Sequence, residues 1–365
     1  MHGEIGKKAA RVWAVLVLVL GLSRAFEYLK FSVSNPMFHQ RSLKSSVLLF
    51  SRNRNHGTSA SSKIIEGIES LIEKYDGFIL DQFGVLHDGS KALPGAVECV
   101  SRLQAAGKKL VILSNSSKNS AYTIKRLPKY GFKESAFVGA VTSGDEALKY
   151  IHSANRWNQK CMLFTWEGWQ DIDQDFFNQL QLEFKDAEEA DFILAHGTDL
   201  IVTGEDSSIR TELKSSGCME AYMPYLEKAL ERGIPMVVAN PDFLVNFPDG
   251  TQGYMPGNIS KKYQEMGGTV FEYGKPHKAH FEACIDLLEL DKEKIIHVGD
   301  SLHHDIQGAF NAGIDSLLIG AGIHAPELEL NAYSTDNLRV EVELFEKLCK
   351  ENCIKPTWVT SLFKL

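Results

Sequence analysis

The sequence predicts an α/β fold built on a doubly wound parallel sheet, which an α/β insertion interrupts. Two observations carry this prediction. Apolar runs of strand length alternate with amphipathic helical segments near both ends of the folded part of the chain, as parallel strands and their crossover helices do. A long middle stretch with strands and helices of its own separates these two blocks. We therefore expect one sheet assembled from both blocks and a second α/β layer between them.

The first block predicts a βαβ unit. The apolar run GFIL stops at a polar residue, which is typical of a parallel strand buried on both faces. PGAVECVSRLQAAG then opens with proline at a first helical turn and closes with glycine at a C-cap position. KKLVILSNSS is a second apolar strand, so a right-handed crossover is expected. Upstream, IIEGIESLIEKY has its apolar residues at helical spacing and predicts a helix.

The last block repeats this order. PHKAHFEACIDLLEL and DIQGAFNAG predict helices, and KIIHVGD and DSLLIGAG predict strands. In the middle stretch, SAFVGAVTSG, KCMLFTW, ADFILAHGT and PMVVAN predict further strands. The sequence leaves two roles open for the closing segment PTWVTSLFKL, which either packs on the core or forms a homodimer contact.

The N-terminal segment has the composition of a targeting sequence, and we do not expect it to form part of the fold. Residues 1–63 hold ten Lys and Arg but only two acids, so the rest of the chain carries a charge of about −16. The apolar run Val12 to Leu22 is too short for a stable membrane span. It resembles a secretory signal, whereas the Ser- and Arg-rich stretch that follows resembles an organellar transit peptide. We expect residues 1–62 to be a chloroplast or mitochondrial presequence, the alternative being a disordered extension of a cytoplasmic protein.

The acidic body argues against nucleic-acid binding, because such proteins usually present a basic face. It does not exclude a small phosphorylated substrate, since a metal ion or one local lysine can neutralise a phosphate.

Polar side chains follow the strands at the edge where parallel sheets bind ligands. Any one of them alone is weak evidence, because strand-end Asp residues often cap helices. Together they form a set that predicts phosphoryl transfer. In chain order the set is Asp81, Ser114, Asn115, Lys275, Asp300 and Asp305.

Each member of this set has a chemical role in the prediction. Asp81 would attack phosphorus and form an aspartyl-phosphate. Asp81, Asp300 and Asp305 would offer hard oxygen ligands to Mg²⁺, which lets an anionic nucleophile approach an anionic phosphate. Ser114 and the amide of Asn115 would bind phosphoryl oxygens, and Lys275 would neutralise the remaining charge.

The same motifs resemble the signature of the haloacid dehalogenase superfamily. The subclass related to 4-nitrophenylphosphatase and to nucleotide- and sugar-phosphate phosphatases is the most similar. DQFGVLHDGSKALPGAVECVSRLQAAGKKLVILSNSS resembles its first two motifs, and VVANPDFLVNFPDGTQGYMPGNIS its Asn-Pro-Asp segment. GKPHKAHFEACIDLLELDKEKIIHVGDSLHHDIQGAFNAGIDSLLI resembles its last two. The likeness covers residues 64–325.

The resemblance implies a Rossmann-like core of residues 63–133 and 271–365, with an inserted α/β cap domain at 134–270. It also implies an Mg²⁺-dependent phosphatase acting on a small phosphate ester through an aspartyl-phosphate intermediate. One position departs from the family pattern. The phosphatases carry a second Asp two residues after the nucleophile, which protonates the leaving group, and here that residue is Phe83. The family uses this residue's backbone carbonyl as a metal ligand, which Phe83 retains.

Three interpretations of Phe83 follow. The protein is a phosphatase that needs an activated leaving group or another acid, for which His87 is a local candidate. It catalyses a different reaction, or it binds a phosphorylated ligand without turning it over. Two smaller expectations complete the analysis. His303 and His304 are expected at an exposed helix start, and Asn240, Pro241 and Asp242 are expected to build a turn near the cap interface.

Overall fold

The computed structural model describes residues 62–154, 160–172, 174–247, 251–334 and 338–365. The predicted presequence at 1–62 lies almost wholly outside these residues and stays a prediction. The strands are β1 Lys63–Ile64, β2 Gly77–Leu80, β3 Lys109–Ser114, β4 Gly139–Thr142, β5 Lys160–Thr165, β6 Glu183–Phe184, β7 Phe192–Ala195, β8 Leu200–Gly204, β9 Ser207–Arg210, β10 Met236–Val238, β11 Leu244–Asn246, β12 Gln252–Tyr254, β13 Val270–Glu272, β14 Ile295–Gly299, β15 Asp315–Ile319 and β16 Trp358–Thr360.

The helices lie between these strands, with 3₁₀ turns at Leu127–Tyr130, Glu134–Ala136 and Lys292–Lys294 and a π-helical turn at Leu302–Ile306. The α-helices are α1 Glu69–Ile72, α2 Ala96–Ala105, α3 Ser120–Arg126, α4 Ser143–Ala154, α5 Trp169–Ile172, α6 Gln174–Leu180, α7 Leu213–Ser216, α8 Met223–Arg232, α9 Gly257–Glu265, α10 Lys278–Leu288, α11 Gln307–Ala312 and α12 Val342–Asn352. Within the described ranges, no helix is long and apolar enough to cross a membrane.

The first sheet has the strand order β1-β16-β15-β14-β2-β3-β4, and every pair in it is parallel. The interior strand β2 is buried on both faces because alternate side chains enter different cores. Phe78 and Leu80 belong to one apolar cluster and Ile79 to the other. Each of these side chains is fully buried, which stabilises the sheet by about 1.5–3 kcal/mol per residue. The predicted fold class, a doubly wound parallel sheet with α/β crossovers, is confirmed.

The second sheet is mixed. Its strand order is β13-β10-β7-β5-β8-β9, with β6 added to β5, and a two-stranded hairpin of β11 and β12 stands beside it. The strands β13, β10, β7 and β5 run parallel, whereas β8 and β9 are antiparallel to their neighbours. We call this second layer, with its helices, the cap.

Two local predictions are wrong. SAFVGAVTSG was expected in the insertion, but β4 pairs with β3 in the first sheet because it continues the parallel crossover pattern. The helical spacing of IIEGIESLIEKY yields only the short α1, and β1 instead pairs with β16. The strand β16 lies within the segment PTWVTSLFKL, so this segment packs on the core.

The chain passes from the first sheet to the cap after Thr142 and returns after Glu272. The division into domains at 134 and 270 stays a prediction, and so does a homodimer.

Candidate active site

Asp81 lies at the carboxyl end of β2, an interior strand of the first sheet between β14 and β3. Its backbone N–H still donates to the Val298 carbonyl at 2.9 Å, so the sheet fixes its position before the chain turns away. The next backbone N–H, that of Gln82, donates to Asp81 Oδ1 at 2.7 Å. The residue as a whole is only 7% exposed. A buried carboxylate held at a strand end is positioned for chemistry rather than for solvation.

Lys275 connects Asp81 with Asp305. Its Nζ lies 2.9 Å from Asp81 Oδ1 and 2.8 Å from Asp305 Oδ1, and the ammonium is buried. Burial lowers the pKa of Lys275, but the two carboxylates outweigh it and hold that pKa above its usual range. The lysine therefore stays charged inside the protein.

Asp305 is the most strongly held carboxylate of the site. His297 Nε2 lies 2.8 Å from Asp305 Oδ1, and the Ser301 backbone N–H donates to Oδ2 at 3.0 Å. Burial raises the pKa of Asp305, but the Lys275 ammonium and the His297 hydrogen bond outweigh burial and hold the pKa well below its usual range. The carboxylate is thus ionised at any ordinary pH.

Asp81, Asp300 and Asp305 form one cluster, in which one ligand oxygen from each lies within 4.8 Å of the others. The Ile323 backbone N–H donates to Asp300 Oδ2 at 2.8 Å. Gly84 must lack a side chain here, because a Cβ on it would lie 1.9 Å from Asp300 Oδ2.

The charges of the cluster are not balanced by protein alone. Burial, and then repulsion by neighbouring carboxylates, raises the pKa of Asp300 well above its usual value. Burial also raises the pKa of Asp81 to about 7, although Lys275 opposes this. When all three carboxylates are ionised, one ammonium leaves two negative charges, and a divalent cation with a preference for oxygen ligands fits that charge. The predicted set of side-chain metal ligands is therefore brought together.

Ser114 and Asn115 end β3, beside Asp81's strand. Ser114 is 6% exposed, and its Oγ accepts from the Ser116 backbone N–H at 3.2 Å. The Asn115 side chain holds the lysine loop at two points: its Oδ1 accepts from the Lys275 N–H at 2.6 Å, and its Nδ2 donates to the Lys275 carbonyl at 3.2 Å. Phosphate binding by Ser114 and the Asn115 amide stays a prediction, but the Asn115 side chain has a second task that the sequence did not show.

Asp242 extends this network into the cap and also contacts His304, which lies in the π-helical turn after β14. Asp242 Oδ1 accepts from Asn115 Nδ2 at 2.8 Å and lies 3.0 Å from His304 Nδ1. Asn240 Oδ1 accepts from the Asp242 backbone N–H, so the expected turn is present as well. The expectation of an exposed histidine pair is wrong for His304, which is 7% exposed because the cap residue Asp242 covers it. His303 is exposed as expected.

Phe83 lies in the loop that follows Asp81, and its ring makes aromatic contacts there. Its ring meets the His87 ring edge-on, with centroids 5.6 Å apart, and His87 stacks on Tyr130 at 4.1 Å. The Gly89 backbone N–H donates to His87 Nδ1 at 3.1 Å. Burial, and then the charge of Arg126, lowers the pKa of His87 to about 4. His87 is therefore neutral near pH 7 and a poor replacement for the acid.

The structure thus brings Asp81, Lys275, Asp300 and Asp305 into one site, with Ser114 and Asn115 on the adjoining strand end. Sequence reasoning missed His297, although a single polar residue inside the apolar run KIIHVG was a signal that it needed a buried partner. It also undervalued Asp242, whose role depends on a contact between segments far apart in the chain.

Comparisons with known proteins agree with this geometry. Residues 78–176 match the family described as haloacid dehalogenase-like hydrolase, and residues 272–340 match a second family described as HAD-hydrolase-like. A 4-nitrophenylphosphatase of Schizosaccharomyces pombe is 25% identical over 71% of this chain and 88% of its own. An acid sugar phosphatase of Staphylococcus haemolyticus is 25% identical over 76% of this chain and 98% of its own.

The fold has a counterpart among solved structures. A haloacid dehalogenase-like hydrolase from Brucella suis superposes with a TM-score of 0.64 at 22% identity, covering 82% of this chain and 99% of that one. The two matched segments include β2 with Asp81 at one end of the chain and Lys275 through Asp305 at the other. Two haloacid dehalogenase-like family models thus match the two parts of the chain that build the site, and the fold is that of a haloacid dehalogenase-like hydrolase.

Proposed function

We propose that this hydrolase is an Mg²⁺-dependent phosphatase that acts on a small phosphate ester through an aspartyl-phosphate on Asp81. The observation that carries the proposal is the Lys275 ammonium, which is buried between Asp81 and Asp305 at 2.9 and 2.8 Å. The similarity to a 4-nitrophenylphosphatase and an acid sugar phosphatase supports the same class of reaction.

Mg²⁺ would be held by Asp81, Asp300 and Asp305, with the Phe83 backbone carbonyl as a further ligand. The ion would shield the phosphate charge from the attacking carboxylate. The fit rests on the three clustered carboxylates and on their unbalanced charge.

In the proposed reaction an Asp81 carboxylate oxygen forms a bond to phosphorus while the bond from phosphorus to the ester oxygen breaks. Lys275 is placed to bind a phosphoryl oxygen as the leaving group departs, and its contact with Asp81 keeps the carboxylate oriented toward the substrate. Ser114 would donate its hydroxyl to a second phosphoryl oxygen. Water then attacks phosphorus and releases Asp81 and inorganic phosphate.

The proton required by the leaving oxygen limits the range of substrates. Phe83 cannot supply it, and His87 is neutral and hydrogen-bonded within its loop. General acid catalysis contributes roughly 10²–10⁴-fold, and a leaving group that is stable as an anion does not need it. We therefore propose a preference for leaving groups of low pKa, such as aryl phosphates.

The test is hydrolysis of 4-nitrophenyl phosphate by the purified protein with Mg²⁺, with EDTA, and with the Asp81→Asn variant. Turnover that requires both Mg²⁺ and Asp81 supports the proposal. Absence of turnover by a folded protein that still binds Mg²⁺ contradicts it.

The second candidate function is binding of a phosphorylated ligand without turnover. The packing of Phe83 against His87 favours it, because the position of the expected acid is occupied by an apolar ring. Phosphate binding by a protein that never hydrolyses an ester, together with turnover gained in Phe83→Asp, would support this alternative.

A further inference from the structure

Asn115 stands where the cap and the catalytic lysine meet. Its Oδ1 accepts from the Lys275 N–H and from Ser143 Oγ, the latter at 3.3 Å. Ser143 begins α4, which leads into the cap, and Lys275 follows β13, where the chain returns from it. One side chain therefore touches both connections between the first sheet and the cap. Any change in the position of either connection alters the partners of Asn115.

Asp242 contacts Asn115 from a cap segment whose backbone is held in place by close contacts. The Gly257 backbone N–H donates to the Asp242 carbonyl at 3.0 Å, and a Cβ on Gly257 would lie 2.6 Å from that oxygen. Asn258 Nδ2 donates to the neighbouring Phe243 carbonyl at 2.5 Å. With its backbone held on this side, Asp242 directs its carboxylate to the edge of the first sheet.

Asn115 Nδ2 has three polar neighbours, which are Asp242 Oδ1, the Lys275 carbonyl and, at 3.2 Å, His304 Nδ1. The two N–H groups of its amide donate to Asp242 Oδ1 and to the Lys275 carbonyl. His304 Nδ1 then carries a proton and donates to Asp242 Oδ1. Asp242 thus fixes which way the amide of Asn115 points, and the amide fixes the backbone of Lys275.

We infer that Asp242 is a positioning residue through which the cap sets Lys275 against Asp81, an inference that rests on the proposed function of this site. When Asp242 leaves Asn115, the amide can rotate and Lys275 loses the two-point contact that holds its peptide. The Lys275 ammonium is therefore correctly placed only when the cap is closed. A site that the cap does not cover is expected to bind phosphate weakly.

The experiment compares Asp242→Ala and Asp242→Asn with Asp206→Ala, a control at an exposed acid of the cap. We expect Asp242→Ala to lower kcat for 4-nitrophenyl phosphate by about 10- to 100-fold with a smaller change in KM, as loss of a supporting contact does. Asp242→Asn keeps an acceptor oxygen and is expected to lose less. Asp206→Ala is expected to match the unmodified protein.

Two further measurements separate positioning from mere folding and from failure of the proposed function. Asn115→Ala combined with Asp242→Ala is expected to lose no more than Asn115→Ala alone, because Asp242 acts through the Asn115 side chain. Losses that multiply would overturn the inference. Calorimetric titration with inorganic phosphate and Mg²⁺ needs no turnover, and we expect weaker binding by Asp242→Ala. Unchanged phosphate affinity in a folded Asp242→Ala overturns the inference even if the protein proves to be no phosphatase.

Discussion

The two sides of Asp81, the proposed nucleophile, differ in the kind of contacts that their residues make. On one side lie Lys275, Asp300 and Asp305, a buried charged cluster in which each group has a hydrogen bond or an ion pair. On the other side lies the loop that begins with Phe83, where contacts are between rings and His87 is uncharged. The comparison separates two parts of catalysis. In the proposed mechanism the first side stabilises charge on the phosphate, whereas the second side offers no charged group for proton transfer.

The largest effect is expected from removing the nucleophile on the charged side. Asp81→Asn keeps the shape of the residue but cannot form the aspartyl-phosphate, so turnover of 4-nitrophenyl phosphate should fall by at least about 10⁴-fold. Rates are measured with Mg²⁺, and circular dichroism checks the fold. Residual activity within tenfold of the unmodified protein would remove Asp81 from the mechanism.

Lys275→Met tests whether the charged side is held together by one ammonium. The variant leaves Asp81 and Asp305 without their shared partner, and removing one member of a buried ion pair destabilises a protein by about 3–5 kcal/mol. We expect a loss of that order in the free energy of unfolding, measured with urea at pH 8. The loss should be smaller at pH 6, where Asp81 can take up a proton because its pKa is raised to about 7.

Phe83→Asp tests the other side. If only the acid is missing, the variant should hydrolyse an alkyl phosphate up to about 10²-fold faster, with little change for 4-nitrophenyl phosphate. Phe83→Ala serves as the matched control, because it removes the contact with His87 without adding a carboxyl group. Equal rates for the two variants would show that the loop cannot place an acid over the substrate.

The smallest expected effect concerns pH and metal on the charged side. Without metal, burial raises the pKa of Asp81 to about 7 and raises that of Asp300 as well, so their contribution to stability is greatest at low pH and is lost as pH rises through the folded pKa. Under the proposed function Mg²⁺ binds the ionised carboxylates, and this binding should reverse the trend. The thermal shift produced by Mg²⁺ should therefore be larger at pH 8 than at pH 6, measured by differential scanning fluorimetry with Ca²⁺ and Na⁺ for comparison. An equal shift at both pH values would place the ion away from Asp81 and Asp300.

The sequence predicted the parts of the fold and site that depend on local order. Asp81, Ser114 and Asp300 each follow a short apolar run, and parallel pairing brings such ends to one edge of a sheet. The cluster was therefore predictable once the strands were assigned.

Contacts between distant segments were not predictable in the same way. β4 has the composition of any short strand, and its place in the first sheet depends on pairing with β3. The link from Asn115 to Asp242 joins residues far apart in the chain, and nothing in either local pattern indicates the other. The burial of His304 follows from that link, which is why composition at a helix start suggested exposure instead.

The pairing of β1 with β16 has a consequence for biosynthesis. Lys63 and Ile64 lie against Trp358 and Val359, and the Ile68 backbone N–H donates to the Lys364 carbonyl at 2.8 Å. The ribosome therefore translates nearly the whole folded region before the first strand meets its partner. Until β16 arrives, β15 is an unpaired edge of the first sheet, and such an edge is a site for pairing with other chains.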